Sequence, residues 1–221
     1  MLFAAGFGTR MRHLTKTQPK PLIKVGGRAL IDHTLDHVWP LKPDVVVANA
    51  HYLPDMIADH LGGTEVQVVQ ETPDILDTGG GLRHALPILG SGPVITTNTD
   101  AIWTGRNPLL TLCEHWNPER MDALLMCVPV ARAIGHAGSG DFSMDENGHL
   151  TRGAGYVFGG AQIIKTDLLN QIVDNALSLN VIWDLMQGAG RLFGLEHAGM
   201  WCDVGHPEGV ALAENMMARN V

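Results

Sequence analysis

The 221-residue sequence has few of the features that stabilise small or secreted proteins. Its three cysteines, Cys113, Cys127 and Cys202, lie far apart and form no C-x-x-C pair, so neither a disulfide framework nor structural zinc is expected. It has no apolar run of about 18 residues, and Arg10 and Arg12 interrupt the apolar start, so no cleavable leader is expected. The sequence therefore predicts a cytoplasmic protein, long enough to form a core without such cross-links.

Negative charge is missing from the first part of the chain. No carboxylate precedes Asp32, although the whole chain has a formal net charge of -8. Six of the fifteen Lys and Arg residues fall in this part: Arg10, Arg12, Lys16, Lys20, Lys24 and Arg28. The acidic balance argues against nucleic acid or a membrane as the partner. The basic segment, which is rich in glycine and proline, instead predicts a site for a small anion.

Apolar, β-branched runs alternate with amphipathic stretches through the first half. The runs lie at 1–5, 44–50, 65–70 and 93–99, and the residues between them repeat with a helical period. Continuous apolar strands separated by helices are typical of a parallel sheet that is covered on both faces. The first half therefore predicts a βαβα arrangement.

The second half has a different pattern. It has strands at 122–130, 155–164 and 191–197, and Asn147-Gly148 predicts a hairpin turn. Helices are expected at 166–177, 181–188 and 207–219. The predicted fold class is α/β: a Rossmann-like, mixed but mostly parallel sheet with helices on both faces and a small β-rich lobe.

The opening run MLFAAGFGTRMRHLTKTQPKPL places a glycine-rich turn directly after an apolar strand. A Walker A loop is absent, and Met11 occupies the third glycine position of a dinucleotide fingerprint. The remaining interpretation is a loop whose backbone N–H groups hold a nucleoside triphosphate. Arg10 would grip phosphate oxygens bidentately, and Lys20 would supply a point charge.

The run AAGFGTRMRHLTKTQPKPL resembles the signature of the sugar-1-phosphate nucleotidylyltransferases, a G-x-G-T-R loop followed by a P-K-P segment. The resemblance covers nearly the whole chain. It implies one nucleotidyltransferase domain over 1–221, with a nucleotide-binding part at 1–128 and a sugar-binding lobe with a closing helix at 129–221. It also implies that a nucleoside triphosphate and a sugar 1-phosphate react to give an NDP-sugar and pyrophosphate. Oligomeric state is left open, and a monomer is compatible with the sequence.

The same resemblance implies roles for individual residues. Magnesium would lie on Asp100, after the strand at 93–99, and on Asp203 in a W-x-D-x-G segment. The implied catalytic residues are Arg10 and Lys20, the implied nucleotide-binding residues are Ala5, Gly6, Gly8, Thr9, Gln70 and Gly80, and the implied sugar-binding residues are Asp141, Gly159 and Gly160.

Two departures from the family pattern stand out. Thr99 precedes Asp100 where many relatives have glycine, and no E-K-P segment supplies the lysine that some relatives place on the sugar phosphate. Either Lys20 and Arg10 suffice for that phosphate, or another cation such as Arg152 substitutes.

The segments ETPDILDTGGG and HAGMWCDVG are most similar to uridylyltransferases that act on N-acetylmuramate 1-phosphate in cell-wall recycling. Mannose-1-phosphate guanylyltransferases and glucose-1-phosphate thymidylyltransferases are the alternatives, and a catalytically silent nucleotide-binding protein is a remote one. The retention of both cations and both aspartates argues against a silent protein.

Overall fold

The computed structural model describes residues 1–219. Its six α-helices are α1 Leu30–Val38, α2 Pro54–Leu61, α3 Asp77–Leu89, α4 Pro108–His115, α5 Leu179–Gly188 and α6 Pro207–Ala218. Its strands are β1 Leu2–Phe3, β2 Lys24–Val25, β3 Arg28–Ala29, β4 Val46–Ala50, β5 Val66–Gln70, β6 Val94–Asn98, β7 Ala101–Trp103, β8 Ala123–Pro129, β9 Ala133–Ile134, β10 Phe142–Met144, β11 Leu150–Arg152, β12 Tyr156–Ile164, β13 Leu192–Glu196 and β14 Trp201–Asp203. None of the described helices is both long and apolar enough to cross a bilayer.

The main sheet is built around β1. This strand pairs in parallel with β4 on one side and β6 on the other, and β4 pairs in parallel with β5. The apolar run at 1–5 contributes only two residues to the sheet. The chain leaves the sheet at Ala4, whose N–H donates to the Asn49 side chain. The carboxyl ends of β1, β4 and β6 therefore meet at one edge.

β12 joins the two halves of the chain into one sheet. Along one side it pairs antiparallel with β8, and β8 pairs in parallel with β13. On its other side the first residue, Tyr156, pairs with β10 and the last four pair with β6. The β10–β11 hairpin predicted around Asn147-Gly148 is present. Because β12 runs antiparallel to β6, this hairpin lies beyond the carboxyl end of β6.

Two apolar clusters cover the two faces of the sheet. One contains residues of α3 and α5, such as Leu82 and Ile182, and the other contains residues of α1, α2 and α4, such as Leu35. Neighbouring residues Leu124 and Leu125 of β8 belong to opposite clusters, as alternation along a strand requires. The predicted α/β class with helices on both faces is confirmed.

The sequence did not predict a second sheet, in which β14 pairs antiparallel with β7 and in parallel with β9. Each of its strands has two or three residues, too few to show a periodic pattern. In this sheet Asp203 lies opposite Ala101. The second sheet therefore brings the chain around Asp203 beside the end of β6.

The prediction of a helix at 166–177 is wrong. The segment has one 3₁₀ turn, Asp167–Gln171, and is irregular from Ile172 to Leu177. The Arg83 guanidinium donates to the carbonyl oxygens of Leu169, Ile172, Asp174 and Asn175. Because one arginine of α3 satisfies these carbonyls, the segment keeps its irregular shape without helical hydrogen bonds.

Candidate functional site

The glycine-rich loop after β1 is shaped by a left-handed residue. Gly8 has φ +62°, and a Cβ at this position would lie 2.9 Å from Thr15 Cγ2 and 3.0 Å from Lys20 Cβ. Thr15 Oγ1 donates to the Gly8 carbonyl at 2.9 Å, and Met11 is fully buried in an apolar cluster. Only glycine fits at position 8, because both the backbone conformation and the close approach of Lys20 exclude a side chain.

Lys20 is a buried cation at the edge of the sheet. It opens a 3₁₀ turn after Pro19, and 8% of its surface is exposed. Its Nζ lies 2.7 Å from Asp100 Oδ2, and the side chains of the pair are 11% and 30% exposed. A buried ammonium needs such a partner, so Asp100 holds Lys20 in a fixed position.

A cavity of about 300 Å³ opens at the carboxyl ends of β1, β4 and β6. We call it the first cavity. It combines backbone from the loop with the cations of Arg10 and Lys20 and the carboxylates of Glu71, Asp77 and Asp100. Of the predicted site residues, the structure brings these together in its lining: Ala5, Gly6, Gly8, Thr9, Arg10, Lys20 and Asp100. Arg12 lies outside the lining and is exposed.

Asp203 lies close to Asp100 although the two residues are 103 positions apart in the sequence. The Val204 N–H donates to the Asp100 carbonyl at 3.0 Å. A Cβ on Gly205, which lines the first cavity, would lie 2.7 Å from Asp203 Oδ2. The Asp203 carboxylate therefore lies next to the cavity wall.

Burial raises the pKa of Asp203, the charge of Asp100 raises the pKa further, and Lys20 and Arg10 partly offset the rise. The two carboxylates are neighbours, and that of Asp203 is harder to ionise than a free one. A cation bound between them would stabilise both negative charges. The family that the sequence resembles generally uses a divalent metal ion.

The donor set fits magnesium better than zinc. No group of three or more His, Cys, Asp or Glu side chains suited to a metal occurs among residues 1–219. Mg²⁺ commonly binds through one or two carboxylates and completes its coordination with water and substrate phosphates. The pair Asp100 and Asp203 therefore fits Mg²⁺.

A buried polar relay, which the sequence did not indicate, supports the first cavity. Glu71 is 1% exposed and accepts hydrogen bonds from Asn49 Nδ2 at 2.6 Å and from the Leu76 N–H at 2.8 Å. Asn49 Oδ1 accepts from the Ala4 N–H at 2.8 Å. The relay fixes the end of β1 to the loop that precedes α3. A lone Asn and Glu at strand ends gave no signal by which it could be predicted.

Gly81 provides a test of this relay. A Cβ at Gly81 would lie 2.5 Å from Glu71 Oε1 and 2.7 Å from Asn49 Nδ2. We expect Gly81→Ala to lower the free energy of unfolding by about 1–3 kcal/mol and to raise the KM for the nucleotide, measured by urea denaturation and initial rates. Gly188→Ala is the control because a Cβ there would meet no atom within 4 Å apart from its chain neighbours and its own helix backbone. Equal stability of Gly81→Ala and the wild type would contradict the relay's role.

The two remaining nucleotide residues lie outside the lining of the first cavity. Gln70 is exposed at the end of β5. The Gly80 N–H donates to the Leu177 carbonyl at 2.9 Å, and a Cβ at Gly80 would collide with the Asn175 carbonyl. The structure thus gives Gly80 a packing contact, and the contact of either residue with a base stays a prediction.

A second cavity of about 300 Å³ adjoins the first. The two share four lining residues, namely Phe3, Asp77, Thr78 and Asn98. Asp141 lines the second cavity, and its Oδ2 accepts from the Phe158 N–H at 2.8 Å. A ligand in the first cavity could therefore extend directly into the second.

Gly159 and Gly160 lie at an irregularity in β12 and outside the lining of the second cavity. A Cβ on Gly159 would collide with the Trp103 ring, and one on Gly160, whose φ is +94°, would lie 2.9 Å from Asn98 Cβ. Both glycines thus make room for protein side chains. Their predicted contact with a sugar stays a prediction.

Comparison with known proteins identifies relatives over the whole chain. Residues 1–145 match the family described as the MobA-like NTP transferase domain. The chain is 35% identical to the N-acetylmuramate α-1-phosphate uridylyltransferase of Caulobacter vibrioides, over 99% of this chain and 96% of that protein. It is 31% identical to the enzyme of the same name from Neisseria meningitidis serogroup B, over 93% and 92% of the two chains.

The fold also matches solved structures. HddC from Yersinia pseudotuberculosis, crystallised as a complex with GMP-PN, superposes with a TM-score of 0.78 over 98% of this chain and 97% of that chain. Their sequences are 18% identical, so the match concerns the fold.

Proposed function

Because the chain belongs to the MobA-like NTP transferase family and is a sugar-1-phosphate nucleotidylyltransferase, we propose that it transfers the uridylyl group of UTP to N-acetylmuramate 1-phosphate. The products are UDP-N-acetylmuramate and pyrophosphate. An oxygen of the sugar phosphate attacks the α-phosphorus in line and the pyrophosphate leaves. No covalent intermediate is needed because a phosphate monoester is itself a nucleophile, so the protein's task is positioning and charge stabilisation.

In this proposal the first cavity holds the triphosphate. The loop amides at Gly6, Gly8 and Thr9 and the Arg10 guanidinium bind the phosphates of the leaving pyrophosphate. Lys20 bridges the α-phosphate and the incoming sugar phosphate. Support comes from the lining, which places the loop, Arg10 and Lys20 around one space, and from the Asp100 contact that holds Lys20 in position before substrate binds.

Asp100 and Asp203 would hold Mg²⁺. When bound, the ion neutralises phosphate charge and orients the triphosphate. The raised pKa of Asp203 supports this assignment, because burial and then the charge of Asp100 disfavour its carboxylate form, and a bound cation would offset both.

In this proposal the base lies in the first cavity and the sugar lies in the second, and the four lining residues that the cavities share lie between them. The uracil lies toward Gln70, Gly80 and the loop that Glu71 supports. The sugar lies in the second cavity near Asp141, with Gly159 and Gly160 behind it.

The nucleotide part at 1–128 and the sugar lobe at 129–221 remain proposed divisions of one domain, since β12 and β13 complete the sheet that the first part begins. A cytoplasmic location agrees with the use of UTP.

The observation that carries the proposal is the position of the first cavity, where a glycine loop, two cations and two carboxylates from distant parts of the chain meet at one edge of the sheet. Phosphate and divalent-cation chemistry accounts for all of them. The choice of UTP and N-acetylmuramate 1-phosphate rests on the two uridylyltransferase relatives.

A substrate panel tests the proposal. We expect pyrophosphate release with Mg²⁺ to be fastest for UTP with N-acetylmuramate 1-phosphate, among UTP, GTP, dTTP and CTP combined with N-acetylmuramate, N-acetylglucosamine, mannose and glucose 1-phosphates. A preference for GTP with mannose 1-phosphate, or for dTTP with glucose 1-phosphate, would replace the proposed substrates. Tight nucleotide binding without turnover would indicate a catalytically silent protein.

A further inference from the structure

The second cavity is lined by charged side chains of both signs. Among the described residues that line it, the charged side chains are Asp77, Asp141 and Arg152. Carboxylates are suited to accept hydrogen bonds from sugar hydroxyls. A guanidinium has only donors and is suited to a carboxylate or a phosphate. The arginine therefore indicates a ligand that carries a negative charge in this part of the site.

The Arg152 guanidinium is held in place on one edge. Its Nε donates to Asp184 Oδ1 at 2.9 Å, and its Nη2 donates to Asn180 Oδ1 at 2.9 Å. The guanidinium carbon lies 4.7 Å from the centroid of the Phe142 ring and 5.7 Å from that of Trp183. Arg152 is thus pre-organised by contacts with α5 and with the opposite strand of the hairpin.

One nitrogen of the guanidinium is left without a hydrogen-bond partner in the part of the chain that the structure describes. Arg152 Nη1 makes no hydrogen bond to any of residues 1–219, whereas Nε and Nη2 are both bonded. Asp184, whose side chain is 61% exposed, lies outside the lining of the cavity. A ligand carboxylate could therefore accept from Nη1 without breaking the contacts that hold the side chain.

We propose that Arg152 is a specificity-determining residue that binds the carboxylate of the lactyl group of N-acetylmuramate 1-phosphate, an inference that rests on the proposed function. N-acetylmuramate differs from N-acetylglucosamine by a lactyl ether, which ends in a carboxylate. The two sugar phosphates otherwise present the same ring, acetamido group and phosphate. A cation fixed in the sugar cavity is the feature needed to distinguish them.

The aromatic side chains fit the same ligand. Phe142, Phe158 and Trp183 line the second cavity beside Arg152. Phe158 and Trp183 offer apolar surface to the methyl groups of the lactyl and acetyl substituents, and the fully buried Phe142 packs behind them. Gln162 and Trp183 already satisfy each other, since Trp183 Nε1 donates to Gln162 Oε1 at 2.9 Å. The cation is therefore the group that remains available for a charged substituent.

Arg152→Met tests the inference, because methionine removes the charge and keeps much of the length. We expect kcat/KM with N-acetylmuramate 1-phosphate to fall on the order of 10- to 100-fold at saturating UTP, as for loss of a charge-assisted hydrogen bond. The loss should appear mainly in KM, and kcat/KM with N-acetylglucosamine 1-phosphate should stay within about threefold.

Asp184→Asn is the matched control. It weakens the ion pair from its other side but keeps the guanidinium, so the wild-type preference for N-acetylmuramate 1-phosphate is expected to persist. Thermal melting of both variants accompanies the kinetics. A parallel loss with both sugar phosphates in Arg152→Met would assign Arg152 to stability or to the shared phosphate, and would overturn the inference.

The inference and the proposed function can fail separately. If the wild type uses N-acetylmuramate 1-phosphate and Arg152→Met does so equally well, the proposed function stands and the role of Arg152 is wrong. If the wild type uses only neutral hexose 1-phosphates, the proposed substrate is wrong and the role of Arg152 falls with it.

Discussion

Lys20→Met is expected to lower kcat by on the order of 10²-fold or more, because it removes a positive charge fixed before the substrate arrives. Lys20 is buried, it lines the first cavity, and its Nζ is held 2.7 Å from Asp100 Oδ2. In water a lysine would have to be ordered during the reaction. In the folded protein this charge is already in position. Methionine carries no charge, so it cannot replace the stabilisation that Lys20 gives to the transition state.

The control for this change is Lys24→Met. Lys24 lies four residues further on in β2 and is exposed, so its replacement should leave kcat within about threefold, as is usual for surface substitutions. Steady-state pyrophosphate release at saturating substrates measures both variants. A kcat for Lys20→Met that matches the control would remove Lys20 from the proposed mechanism.

Asp203→Asn is expected to lower kcat by on the order of 10²-fold or more and, at the same time, to make the ligand-free protein more stable at neutral pH. The folded-state pKa of Asp203 is raised, chiefly by burial and then by Asp100. A carboxylate with a raised folded-state pKa destabilises the protein above its unfolded pKa, and the penalty disappears as the group is protonated at lower pH. Asparagine removes that charge at every pH and keeps the shape.

Two measurements separate these effects: kcat with Mg²⁺ and the melting temperature without ligand or metal. Asp44→Asn is the control, since Asp44 is exposed just before β4, at the amino ends of the strands. A melting temperature for Asp203→Asn below the wild type would show that the carboxylate stabilises the free fold. Unchanged kcat would show that it does not act in the reaction.

Local signals in the sequence predicted the part of the site that is local in the chain. Gly8, Arg10 and Lys20 lie within one short segment, where Gly8 permits the left-handed turn and the prolines on either side of Lys20 restrict the backbone. The family resemblance was carried by this segment, and the comparisons with known proteins confirm the family.

Features formed by distant contacts could not be predicted from composition or periodicity. The pairing of β7 with β14, which brings Asp203 beside Asp100, joins three-residue strands about 100 positions apart. Arg83 replaces a predicted helix with an irregular segment by satisfying its carbonyls. The Asn49–Glu71 relay depends on two side chains that come into contact only when β4 and β5 pair.

The most direct test of the account is the position of the metal ion and the triphosphate in crystals grown with Mn²⁺ and a non-hydrolysable UTP analogue. The account predicts an anomalous peak within coordination distance of both the Asp100 and Asp203 carboxylates, with the triphosphate bonded to Arg10 and Lys20. A peak away from either aspartate, or a triphosphate outside the first cavity, would contradict it.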